Sequence, residues 1–215
     1  MGLKNKFYLI FTLTLLIISC KKENSSTVTE INYPNFSAVK PGNYWIYQHY
    51  KIDNSGNSTP MDFFDSCYVE KDTMINSKKY YKLNRPNHGN LFPINNLIRD
   101  SLHYIINSKG EILFSSQDFQ TIFISYYDIL NSTDTITHTV FKMEDKNATT
   151  ITQAGTFTTS NAKKTIYLYS NNIVSNVKTG NTLYSEKTGI ITESANIFQF
   201  AMYNYERRLV RYHVN

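Results

Sequence analysis

The chain has 215 residues, a formal net charge of +5, 18% charged residues and two cysteines. That length suits one domain with a real core, the charge is too mild and scattered for a nucleic-acid binder, and two cysteines make no disulfide framework. Aromatic residues reach 14%, with 17 Tyr and 13 Phe; together with plentiful Thr, Asn and Ser, this favours strands joined by turns.

At the amino terminus, Lys4 and Lys6 precede an apolar stretch from Phe7 to Ile18, and Ser19-Cys20 follows. Charge, short apolar core and small residue in that order read as a secretory signal. As a helix the apolar stretch would cover only about 18 Å of a hydrocarbon core of about 30 Å, too short to span. Ile17-Ile18-Ser19-Cys20 also resembles the bacterial lipobox. The expectation is therefore a signal peptide over residues 1–19, with Cys20 as the lipid-bearing first residue of the mature protein. Loss of Lys4 and Lys6 lowers the charge from +5 to +3. With Cys20 lipidated, Cys67 has no partner in the chain.

Residues 20–40 carry the lipidated cysteine and a polar run, Lys21-Lys22-Glu23-Asn24-Ser25-Ser26, without apolar periodicity. They read as a flexible tether of roughly 25 Å root-mean-square span. A single β-rich domain is expected over residues 41–215, beginning at Pro41-Gly42.

Tyr44–Lys51 is the first clear strand, and Asp53–Asn57 turns the chain back into a second at Asp62–Glu70. Lys79–Leu83 is the third. Residues 84–100 hold two prolines and a glycine and read as a loop, with one helical turn at Ile94–Ile98. Leu102–Asn107 and Glu111–Ser115 flank a hairpin turn at Ser108-Lys109-Gly110. Strands follow at Thr121–Tyr127, Thr137–Met143, Thr149–Gln153, Thr165–Tyr169 and Thr182–Glu186. Gly189–Thr192, Ile197–Tyr203 and Leu209–Val214 complete the series, and Glu144–Asn147 reads as a hairpin tip. Asp118–Leu130 has too many β-branched and aromatic residues for a helix. At the end, Val210, Tyr212 and Val214 should share one face, and Leu209, Arg211 and His213 the other; Phe198, Phe200 and Met202 should likewise share a face. The fold class is mainly β: an antiparallel curved sheet of about 10–12 short strands with little helix, as a barrel, half-barrel or sandwich.

Few residues announce chemistry. His49, His88, His103, His138 and His213 stand far apart, with no paired spacing for a metal. There is no nucleophile elbow, phosphate loop or dinucleotide fingerprint, so no catalytic residue, metal or cofactor is assigned. Asp62 and Asp65 fall three apart on a strand, point to opposite faces and read as solvated edge charges. Arg207, Arg208 and Arg211 form the one cationic cluster and read as a solvated face, with an anion or lipid headgroup as the alternative. Cys67 reads as a small buried hydrophobe, since a reactive thiolate needs a cationic neighbour that the local sequence lacks.

Several segments carry a family likeness: the lipobox with Cys20, Pro41-Gly42-Asn43-Tyr44-Trp45-Ile46-Tyr47, and Lys79-Tyr80-Tyr81-Lys82-Leu83. Tyr127-Asp128-Ile129, Asp134-Thr135-Ile136, Gly155-Thr156-Phe157, Gly189-Ile190-Ile191 and Leu209-Val210-Arg211-Tyr212 follow in order. In this order the chain resembles small cell-envelope lipoproteins of the Bacteroidota, departing at Thr133 and at Lys187-Thr188. The resemblance implies an envelope β-protein and supplies no catalytic residues. A fainter likeness, at the level of fold analogy, is to the half-barrel of periplasmic lipoprotein carriers. Asp72-Thr73-Met74, Asp100-Ser101-Leu102 and Asp134-Thr135-Ile136 resemble the O-glycosylation sites of exported Bacteroidota proteins, which marks Thr73, Ser101 and Thr135.

The leading expectation is a non-enzymatic monomer, lipid-anchored to the outer membrane, that binds an apolar or amphipathic ligand or a partner protein of the envelope. Trp45 and Tyr47 are the expected ligand-lining residues, since Trp and Tyr offer apolar bodies with polar tips. The alternatives are a hydrolase whose carboxylates or hydroxyl meet only on folding, and a structural or assembly subunit.

Overall fold

The structure, a computed structural model, describes residues 31–86, 93–130, 134–195 and 204–215. All of its strands belong to one compact unit, Tyr33–Asn215. They are β1 (Tyr44–Ile52), β2 (Ser58–Ile75), β3 (Lys78–Pro86), β4 (Pro93–Ser101), β5 (Tyr104–Asn107) and β6 (Ile112–Ser115). The second half holds β7 (Ile122–Leu130), β8 (Asp134–Thr152), β9 (Gly155–Ser170), β10 (Ile173–Ser185), β11 (Gly189–Ala195) and β12 (Asn204–His213). Among the described residues there is no helix.

One antiparallel sheet contains them all, in the order β6-β5-β4-β3-β2-β1-β12-β11-β10-β9-β8-β7. Two meanders, β1–β6 and β7–β12, thus join where the first strand pairs with the last. The sheet's two ends, β6 and β7, are consecutive in sequence, and the sheet curls to bring them together as a nearly closed barrel. Across that seam the Ser115 N–H meets Met143 Sδ at 3.3 Å, and the rings of Phe114 and Tyr184 lie 4.5 Å apart.

Alternation turns one face of each strand inward. Trp45, Tyr47 and His49 of β1 and Asp65, Cys67 and Val69 of β2 are buried, while their neighbours are partly or fully exposed. Phe114, Met143, Ile191 and Leu209 are the most deeply buried apolar residues. Each such side chain contributes about 1.5–3 kcal/mol to folding.

The structure departs from the sequence reading in five places. Residues 84–100 are not mostly loop, and Ile94–Ile98 is strand, not a helical turn. β3 and β4 pair from Tyr81↔Ile98 to Pro86↔Pro93, so both prolines sit at strand ends, where their missing N–H is tolerated. Glu144–Asn147 is not a hairpin tip. β8 runs through it for 19 residues, and Asp145 (φ 49°) and Asn147 (φ 62°) make a bulge opposite β9. Strands are accordingly longer than expected, with β2 reaching 18 residues.

In β12 a bulge opposite Ile46 and Tyr47 flips the alternation. Leu209 therefore packs inward together with Tyr212 and Val214, while Arg211 and His213 face solvent. The packed region also starts earlier than Pro41. Phe36 lies 4.8 Å from Phe114, Ala38 and Val39 join the core, and Ser37 Oγ donates to Asp100 Oδ2 at 2.7 Å. Such a short apolar segment has too little length for periodicity to reveal it. His88 and the expected strand Ile197–Tyr203, with Phe198, Phe200 and Met202, lie outside the described residues, as do residues 1–20.

Candidate functional site

A half-enclosed cavity of about 240 Å³ opens inside the barrel. It exceeds the roughly 150 Å³ apolar void that takes up benzene. Trp45, Leu83, Ile98, Ile105, Phe141 and Ile190 form its apolar wall. Arg85, Glu193, Asn96, Asn107 and Thr182 supply polar lining, and Tyr47, Tyr184 and Cys67 also reach it.

The aromatic wall is fixed by its polar tips. Trp45 Nε1 donates to Thr188 O at 2.6 Å, and the Tyr47 hydroxyl donates to Ile190 O at 2.8 Å. Gly189 (φ +89°) turns the chain between those two acceptors. A Cβ there would stand 3.5 Å from the indole of Trp45 and 3.3 Å from Ser37 O, so glycine serves both the turn and the close approach.

Along the barrel wall beside the cavity runs a row of alternating charge. His49 Nε2 lies 2.6 Å from Asp65 Oδ2, and Arg207 Nη1 donates to the same oxygen at 3.0 Å. Arg207 Nη2 reaches Glu193 Oε2 at 2.6 Å, and Arg85 Nη2 bonds that same Glu193 oxygen. The register explains the row, because His49 faces Arg207 across β1–β12 and Arg207 faces Glu193 across β11–β12. The Arg85 contact instead crosses the interior from β3 to β11, which are not sheet neighbours.

Burial raises the cost of every charge here, so pairing decides what survives. For Asp65, burial works upward, but His49 and Arg207 outweigh it and hold the carboxyl below the usual aspartate value. Burial likewise opposes the charge of Arg85, and the Glu193 carboxylate more than restores it. Burial pushes the Cys67 thiol up against the downward pull of Arg207 and Arg85, so the thiol form prevails. The Tyr184 hydroxyl is pushed up to about 12 by burial and is a neutral donor at ordinary pH.

Two sequence expectations are corrected by this row. Asp65 is not a solvated edge charge but is 5% exposed, whereas Asp62, on the opposite face, is exposed. Arg207 is not part of a solvated face: it is 1% exposed, while Arg208 pairs with Glu206 and stacks 4.3 Å over Tyr50, and Arg211 faces solvent. The fold supplies Cys67 with the cationic neighbours its local sequence lacks, yet the thiol stays free and 2% exposed. Trp45 and Tyr47 both stand in the cavity wall. Thr73, Ser101 and Thr135 are half-buried at separate places on β2, β4 and β8. Cys20 lies outside the described residues. Among the described residues, no three His, Cys, Asp or Glu side chains group to hold a metal ion.

Arg85, Asn96, Asn107, Tyr184 and Glu193 were not singled out by the sequence. Arg85 and Asn96 fell in the supposed loop, and Glu193 followed an expected strand by one residue.

No known family pattern matches the chain, and no curated protein is similar to it in sequence. Among solved structures, it is similar to a chain provisionally named a lipoprotein from Parabacteroides distasonis. That match has 15% identity and a TM-score of 0.45, covering 85% of this chain and 100% of the other. It is also similar to a chain provisionally named an exported protein with a YmcC-like fold from Bacteroides fragilis, at 13% identity and a TM-score of 0.49, over 84% of this chain and 99% of the other.

Proposed function

We propose that the chain is an exported, lipid-anchored protein of the bacterial outer membrane whose barrel interior binds a small amphipathic ligand without transforming it. The carrying observation is the cavity itself, lined mainly by apolar side chains together with a few polar ones, Arg85 and Glu193 among them. That layout matches binding sites in which apolar area supplies affinity and a few polar groups fix orientation. The buried thiol and hydroxyls beside it are held in their neutral forms, which suits binding better than nucleophilic attack.

Two experiments test the two halves of this reading. Cys20→Ala should move the protein out of the membrane fraction, since lipidated cysteine supplies the two-chain anchoring that persists; quantitative retention in membranes would refute the anchor. For the cavity, octanol added to the chain from Lys21 to Asn215 should shift the emission of Trp45, the single tryptophan. At ten times its Kd it should also raise the unfolding midpoint by about 3–6 °C. Ile105→Phe, which fills the cavity, should abolish both responses; an unchanged response in that variant would place binding elsewhere.

A further inference from the structure

We infer that the ligand of this cavity carries a carboxylate, seated on the guanidinium of Arg85. The inference rests on the reading that the cavity binds an amphipath, and it assigns the sign and shape of the polar end.

The row Asp65–Arg207–Glu193–Arg85 alternates in charge, with His49 hydrogen-bonded to Asp65 at its far end, and it meets the cavity at Glu193 and Arg85. One oxygen of Glu193 is shared by two guanidiniums. Asp65, the carboxylate that balances the second, stands back from the cavity wall and is engaged with Arg207 and His49. Of this row only Arg85 and Glu193 line the cavity, and because Glu193 is divided between Arg85 and the buried Arg207, which also has Asp65, Arg85 is the less fully compensated cation at the wall.

Donors are in excess. Among the described residues, Arg85 gives Glu193 one N–H through Nη2, leaving the rest of a planar fork whose geometry matches a carboxylate. Asn96 lies opposite Leu83, one inward position along β3 from Arg85, and lines the same cavity. The Tyr184 hydroxyl lines the cavity, is 7% exposed, and has no protein hydrogen-bond partner among the described residues. A neutral hydroxyl at the cavity wall can donate, and a carboxylate oxygen would accept from it. Ile98, Ile105 and Phe141 line the same cavity and offer apolar surface suited to a short hydrocarbon body.

The test is calorimetric titration at pH 7 of the chain from Lys21 to Asn215 with octanoate, octanol and octylamine, which share one tail. Octanoate should bind at least about tenfold more tightly than octanol, and octylamine no more tightly than octanol. In Arg85→Gln the octanoate advantage should vanish while octanol affinity stays within about twofold. Arg85→Lys, which keeps the charge without the fork, should retain part of the advantage. If octanoate and octanol bind alike, if octylamine binds tightest, or if Arg85→Gln keeps the octanoate preference, the carboxylate assignment fails and the cavity reading survives. If none of the three binds, both fail. Should Arg85→Gln prove unfolded, Arg85→Lys and the ligand series on the unaltered chain still decide.

Discussion

Glu193→Gln lowers the unfolding free energy by about 3–5 kcal/mol in urea titration, because it strips a shared counter-charge from two buried guanidiniums. Gln is nearly isosteric, so the loss is electrostatic and not a packing defect. Arg207, fully buried, keeps Asp65, but its Nη2 loses a charged acceptor, and Arg85 loses the one carboxylate it bonds among the described residues. Arg85→Gln alone costs less, since Glu193 retains Arg207. The double variant Glu193→Gln with Arg85→Gln should recover part of the single Glu193→Gln loss, because one unpaired cation is removed along with the anion. Stability within about 1 kcal/mol of the unaltered chain for Glu193→Gln would mean that water, not Glu193, solvates these guanidiniums.

Trp45→Ala is the second large effect, at about 3–5 kcal/mol. The indole is buried against the β10–β11 turn, and its loss removes both packing and the Nε1 donor to Thr188 O. Trp45→Phe separates the two contributions. It keeps much of the apolar contact and loses the hydrogen bond, so it should cost about 1–3 kcal/mol. Equal destabilisation by Phe and Ala would show that the buried Thr188 carbonyl, and not ring packing, dominates at this position.

The sheet was legible in the sequence because its signals are local. Turn residues at Asp53–Asn57 and Ser108–Gly110 mark hairpins directly, and the alternation of β1 places Trp45, Tyr47 and His49 on one face. What stayed hidden depends on partners far along the chain. The bulges at Asp145–Asn147 and at Val210 are set by register against a neighbouring strand, and each changes which residues face inward beyond it. Arg207 read as solvated because it clusters in sequence with two other cations, Arg208 and Arg211; the carboxylates that make its burial tolerable arrive from residues 65 and 193. The cavity was legible only as two aromatic residues on the first strand, because its polar lining is assembled from β3, β4, β5, β10 and β11.

The pairing of the first strand with the last bears on when this chain can fold. Tyr44 meets His213, closing a loop of about 170 residues, which costs about 2.5 kcal/mol more than closing a ten-residue hairpin. Each meander can form from neighbouring hairpins as it emerges, but the charged row has Asp65 and His49 on one meander and Arg207 and Glu193 on the other. Until β12 is made, Asp65 and Glu193 lack Arg207, the cation that joins the two halves of the row, and the sheet lacks the strand that links its two meanders. The two meanders can therefore form early, but the sheet is joined into one only when β12 pairs with β1, so the core is completed by the last strand in the sequence.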